Sequence, residues 1–203
     1  MRILIVAATA VEIAPLARAG RPGVEVLLTG VGMVPTAVRC ATALAMERYD
    51  FALNLGLCGS FDPSLPPGAV VHVVEDRIAE LGAEDGGRFL SIEDLQLTGD
   101  HHFVNAAPPA NAALARLPAA RGITVNTVHG STASIDAVVR RFSPQVESME
   151  GAAFMCACLQ HRVAFAQVRA VSNVVERRNR AAWKMDEAIE RLNAAAREIV
   201  EAA

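Results

Sequence analysis

Apolar runs that end in glycine or asparagine constrain this chain more than any other feature. RILIVAAT (2–9), VEVLLTG (24–30) and DFALNLG (50–56) show little of the polar alternation of a half-exposed strand. Such runs are buried on both faces, which is the condition of strands in a parallel sheet. Between the second and third, VPTAVRCATALAMERY (34–49) spaces Val34, Val38, Ala41, Ala45 and Met46 at helical intervals, with Pro35 tolerated in the first turn. The order is therefore β, α, β. GAVVHVVED (68–76), GITVNTV (122–128) and VAFAQVRAVSN (163–173) read as further strands. SIDAVVRRF (134–142) and RAAWKMDEAIERLNAAAREIVEA (180–202) read as helices. Residues 80–112 are polar, Gly-rich and Pro-punctuated, and are expected to form a long excursion rather than a linker. Alternation of this kind predicts a mostly parallel sheet wrapped in helices, all within one domain over 1–203.

Charge narrows the partners. Lys and Arg number 19 against 22 Asp and Glu, a net charge of -3, so there is no basic surplus to neutralise a phosphate backbone and nucleic acid is not an expected partner. MRILIVAATAVEIAPLA imitates a secretory signal, but its apolar run is short and passes straight into an amphipathic segment carrying Glu12, so it is read as the first strand of a βα unit. No stretch approaches the ~20 apolar residues of a membrane span. Cys40, Cys58, Cys156 and Cys158 lack metal-ligand spacing and read as small core residues of a reduced, cytoplasmic protein. No metal and no organic cofactor is expected.

In α/β sheets ligands gather outside the carboxyl ends of strands. The candidate positions are then Thr9–Glu12, Thr29–Gly32, Asn54–Ser60, Val128–Ser131, Ser148–Gly151 and Ser172–Glu176. TGVGMV (29–34) imitates a dinucleotide loop, yet Pro35 stands where the third glycine should be and the motif is not on the first strand. A turn that brings backbone close to a ligand or helix fits better. Glu12 could simply complement a helix dipole, and Glu150 could pair with an arginine. Alternatively Glu150 could accept hydrogen bonds from two vicinal hydroxyls, as on a ribose. Asn173 could cap a turn or touch a ligand. His72, His101 and His102 have no partners at ligand spacing, whereas His129 could line a base pocket. Arg177, Arg178 and Arg180 could meet a carboxylate on a ligand or simply be solvated, and solvent is the expectation; Trp183 is expected in the core or a subunit contact.

ILIVAATAVEI, TGVGMV, NLGLCGS, ESMEGAAF and VRAVSNVVE occur in the order and approximate spacing of the purine nucleoside phosphorylase and nucleosidase superfamily, which the chain resembles over nearly its whole length. The resemblance implies a single-domain three-layer α/β/α fold with a central mixed, mostly parallel sheet. It also implies a small-molecule nucleoside substrate and a homo-oligomer. Within that superfamily, the methylthioadenosine/adenosylhomocysteine nucleosidases place a Glu after strand one, a Met-Glu pair on a late helix and an Asp in a Ser-Asp dipeptide. Glu12, Met149 and Glu150 fall on the first three positions; Asn173 stands where the Asp should be. The resemblance further implies that Gly32, Cys58, Gly59 and Ser148 contribute to substrate binding.

Ser-Asn followed by VVERRN, together with ELGAEDGGRF (80–89), resembles the futalosine hydrolases of the alternative menaquinone pathway, which split futalosine into hypoxanthine and dehypoxanthinyl futalosine. A carboxamide suits a 6-oxopurine, because it can both donate and accept a hydrogen bond. The phosphate-holding features of the phosphorylases, an arginine opening the strand-end motif and an early Gly-Asp-Pro loop, are replaced by Asn54 and TAVEI. Hydrolysis is therefore expected over phosphorolysis. The expected roles are Glu12 activating water, Glu150 gripping the ribose hydroxyls, Met149 packing on the sugar and Asn173 stabilising the departing base.

Overall fold

A computed structural model of the chain describes residues 1–97 and 99–203. β1 (Ile3–Ala7), β2 (Val24–Leu28), β3 (Phe51–Ser60), β4 (Val70–Ile78), β7 (His102–Val104), β8 (Ala119–Thr124), β9 (Val146–Ser148) and β10 (Phe165–Val174) form one mixed sheet. β1 pairs in parallel with both β2 and β3, and β10 in parallel with β3. Beyond β10 the direction reverses once, at the antiparallel pairing with β4. β4 then pairs in parallel with β8, and β8 with β9. β9 returns to the far end of β3 antiparallel, so β3, β10, β4, β8 and β9 close on themselves as a small barrel, with β1 and β2 as an open wing. Closure removes the sheet edge on that side.

Alternation along β1 shows how the layers form. Ile3, Ile5 and Ala7 pack with Phe51, Leu53 and Leu55 of β3 and with Ala188, Leu192, Ala196 and Ile199 of α6 (Met185–Glu201). Leu4 and Val6 point the other way, into a cluster with Cys40 and Leu44 of α2 (Met33–Met46) and Phe154, Met155 and Cys158 of α5 (Gly151–His161). One strand thus feeds two cores, which is why its run carries no polar residue. α1 (Ala10–Ala19) and the short α3 (Ala112–Ala115) share the α6 side; α4 (Thr132–Phe142) covers Ile123 and Val125 through Val138.

Several boundaries differ from the sequence reading. The strand expected over 122–128 runs instead from Ala119 to Thr124, so Val125–Ser131 is loop. The terminal helix begins at Met185, after a single 3₁₀ turn at Arg180–Ala182. β9, only three residues long, carries Glu147 and has no apolar run to announce it. The excursion over 80–112 contains a hairpin of β5 (Gly82–Asp85) and β6 (Arg88–Ser91), joined by Gly86 and Gly87, both at positive φ as a tight primed turn requires. Thr98, within that excursion, lies outside the described residues.

Candidate active site

Glu12 is fixed from both sides. It sits three residues into α1 from Thr9, and its Oε2 accepts hydrogen bonds from the Thr9 backbone N–H at 2.8 Å and the Thr9 hydroxyl at 2.9 Å. This is the carboxylate half of a capping box, so the helix-dipole reading of Glu12 is correct as far as it goes. The other oxygen, Oε1, accepts from the backbone N–H of Leu57 in β3 at 3.3 Å, which holds the carboxylate against the strand end.

Glu150 stands at the N-cap position of α5 and is 6% exposed. Its Oε1 accepts from the Gly32 backbone N–H at 3.1 Å, and its Oε2 lies 4.0 Å from Nη1 of Arg169. Arg169 is 1% exposed and donates from Nη2 to Asn54 Oδ1 at 2.6 Å, while Asn54 Nδ2 donates to the Val6 carbonyl at 3.1 Å. Gly56 makes room for this guanidinium: a Cβ there would collide with Arg169 Nη1 and stand 3.3 Å from Glu12 Oε1. One buried cation therefore lies beneath Glu150, and it offsets part of the desolvation cost that this carboxylate would meet alone.

The start of α5 has its own anchor. Ala152 N–H donates to Thr124 Oγ1 at 2.8 Å, and the Thr124 hydroxyl donates to Asp76 Oδ1 at 2.8 Å. Gln167 Nε2 donates to Asp76 Oδ2 at 2.9 Å. Asp76 is fully buried, and burial raises its carboxyl to a pKa of about 6 despite the opposing pull of the Gln167 and Thr124 hydrogen bonds and of Arg169. A side chain at Gly151 would collide with Asp76 and Gln167, so the helix can approach this cluster only as glycine.

These supports surround a cleft of about 370 Å³ at the strand ends. Glu12, Cys58, Gly59, Ser148, Met149, Glu150 and Asn173 all line it, together with Thr9, Val31, Leu57, Val128, Glu147 and Ser172. Gly32 does not line the cleft but supplies the amide that holds Glu150. Cys58 presents a protonated thiol to the cleft, since burial lifts it to about 12. Asn173 accepts from the Ser172 hydroxyl at 2.8 Å and donates to the Val174 carbonyl at 2.9 Å, which leaves one N–H and one lone pair of the carboxamide for a ligand. A larger groove of about 450 Å³ between α1, β2 and α6 contains none of the residues singled out from the sequence.

Trp183 differs from expectation in part: it is half-buried and lines the cleft rather than filling the core. Arg178 is exposed, as expected, and lines the same cleft with its guanidinium 5.5 Å from the Trp183 ring centroid. The Arg-Asn-Arg-Ala-Ala turn before α6 delivers the indole there, where an uninterrupted helix from residue 180 would not. His101 and His102 lie elsewhere, paired with Glu93 and Glu75, and His72 is buried in β4. Sequence reasoning missed Arg169, Asp76 and Glu147. A signal existed: Gln167 and Arg169 interrupt an apolar strand at a spacing of two, so they share one face and must find buried partners.

The family model of the phosphorylase superfamily matches residues 17–203. The chain is 34% identical over 184 residues to a futalosine hydrolase of Thermus thermophilus, covering 88% of this chain and 81% of that one. It is 34% identical over 215 residues to a futalosine hydrolase of Streptomyces coelicolor, covering 93% and 91%. Among solved structures, a futalosine hydrolase of Helicobacter pylori superposes with a TM-score of 0.84 over 99% of this chain and 97% of that one; at 15% identity this likeness speaks to the fold. By the family model over most of its length and by its identity to these relatives, this chain belongs to the phosphorylase superfamily and, within it, to the futalosine hydrolase family.

Proposed function

We propose that the cleft hydrolyses the N-glycosidic bond of futalosine, releasing hypoxanthine. The observation that carries this reading is the convergence of Glu12, Glu150 and Asn173, from three distant parts of the chain, on one cavity. Glu150, held by Gly32 and Arg169 in a fixed pose, accepts hydrogen bonds from the ribose hydroxyls. Glu12 orients the attacking water and takes its proton. As the base departs, positive charge develops on the sugar, and the two carboxylates stabilise it. Asn173 offers its remaining N–H and lone pair to the base, a pattern complementary to a 6-oxopurine. The curated relatives' common name supports the choice of futalosine.

Water is favoured over phosphate as the nucleophile. Among the described residues lining the cleft, Arg178 is the only cation; it lies at the Asn173 and Trp183 end, and Arg169 beneath the floor is committed to Asn54 and Glu150. An association of copies belongs to the same reading, supported by Val31, Val34 and Val38, which stand 55%, 74% and 60% exposed along the start of α2 beside the cleft. Free thiols at Cys40, Cys58, Cys156 and Cys158 are consistent with a reducing compartment.

The test is incubation with futalosine, inosine and methylthioadenosine in phosphate-free buffer, following base release. Hypoxanthine from futalosine, at a kcat/KM well above that for adenine release from methylthioadenosine, is expected. The reverse order would assign the chain a methylthioadenosine-type activity. Release that requires added phosphate would make it a phosphorylase.

A further inference from the structure

We infer that the Glu147–His129 pair supplies the proton that lets the base leave, with His129 as a general acid; the inference rests on the nucleosidase reading above. Asn173 cannot fill that role, because a carboxamide donates hydrogen bonds but delivers no proton. A different group at the same end of the cleft can. Glu147, from β9, is 4% exposed and lines the cleft beside Gly59 and Asn173. His129, from the loop after β8, lines the adjoining recess with Gly59, Glu147, Asn173 and Trp183.

The pair is closely coupled. Glu147 Oε1 accepts from the His129 backbone N–H at 3.1 Å, and Oε2 lies 2.6 Å from His129 Nδ1, the short distance of a charge-assisted bond. The carboxylate can only accept here, so the bond fixes Nδ1 as the protonated nitrogen facing it. His129 Nε2 makes no hydrogen bond among the described residues. In the doubly protonated ring this nitrogen carries the second N–H. Phe61 packs edge-on against the imidazole, with centroids 6.2 Å apart, which helps hold its plane. The other charged groups lining the recess are Glu176 and Arg178, both after β10; Arg178 donates its backbone N–H to the Gly130 carbonyl next to His129. Glu12 and Glu150 bound the sugar end of the same cleft.

The step balances without a further reagent. The C1′–N9 bond breaks and its electron pair passes into the purine; the proton on His129 Nε2 moves to the base, which leaves as neutral hypoxanthine. Water bonds to C1′ and gives its proton to Glu12. Release of that proton to solvent and uptake of one by His129 restore the resting state. Glu147 accepts from Nδ1–H throughout and holds the ring in its pose. Glu147 is accordingly a positioning residue.

Three measurements on the full chain test this: kcat and KM for hypoxanthine release from futalosine, their pH profiles, and thermal melts of each variant. Wild type should lose kcat on the alkaline side as His129 loses its proton. His129→Gln should lower kcat by about 10² to 10⁴ with KM changed only a few-fold, and should abolish that alkaline decline. Glu147→Gln, which keeps the shape but removes the counter-charge, should move the decline to lower pH. If His129→Gln fails to fold, the Glu147→Gln profile alone decides: an unmoved alkaline limb overturns the inference. So does a His129→Gln variant with wild-type kcat, or one whose only change is in KM. A wild type that releases no base at any pH overturns the nucleosidase reading instead, which keeps the two failures apart.

Discussion

Asp76 should make this protein more stable in mild acid than at neutral pH, in contrast to most carboxylates. Its carboxyl is raised from 3.8 to about 6 by burial, so the folded state prefers the neutral form more than the unfolded chain does. A raised carboxyl contributes stability that is fully present below the unfolded pKa and lost as the pH climbs through the folded one. With these two values the contribution is roughly 1 to 2 kcal/mol at pH 5 and has vanished by about pH 8. Asp76→Asn removes the titration while keeping the shape. Its Oδ1 can still accept from Thr124, and its amide can meet Gln167 Oε1, which has no partner among the described residues, once that side chain turns over. Whatever fixed offset the variant carries, wild type should gain on it by about 3 to 6 °C in Tm on going from pH 8 to pH 5. Melts of both proteins at the two pH values give the number. A gap that stays constant would refute the reasoning, because it would mean that Asp76 is ionised in the fold across the whole range.

Three further outcomes follow from the supports of the site. Gly151→Ala forces a methyl group into Asp76 and Gln167 and should cost about 3 kcal/mol in urea unfolding, at the upper end of overpacking penalties, with loss of activity as α5 shifts Glu150. Arg169→Met leaves Glu150 with only the Gly32 amide and orphans Asn54 Oδ1; a destabilisation of about 3 to 5 kcal/mol is expected, and a neutral result would show that Glu150 does not depend on the cation. Asn173→Asp exchanges a donor for an acceptor at the base and should move the ratio of kcat/KM values toward adenine nucleosides by about tenfold, the worth of one mismatched hydrogen bond. An unchanged substrate ratio would remove Asn173 from base selection.

What the sequence made legible was periodic or punctuated. The apolar runs of β1 and β3, the helical spacing of α2 and α6, and the strand-end clusters holding Glu12, Glu150 and Asn173 could be read because burial on two faces and loop chemistry each leave a local signature. Closure of the barrel could not. It depends on β9, whose three residues Val146–Ser148 pair with both β3 and β8 and carry no pattern longer than themselves. Arg169 was hidden for a related reason: its hydrogen-bond partner Asn54 lies 115 residues away in sequence, and only the pairing of β10 with β3 brings that carboxamide to its guanidinium. The same holds for Trp183. Its place in the cleft is set by the 3₁₀ turn that delays α6, and helix boundaries are the least certain part of any sequence reading.

The most direct test of the account is the kinetics of Glu12→Gln with futalosine in phosphate-free buffer. The account expects kcat to fall by about 10² to 10⁴, KM to stay within a few-fold and the protein to remain folded, since the residue's catalytic part is to take a proton from water. A folded Glu12→Gln protein that turns futalosine over within a few-fold of the wild-type rate would contradict it.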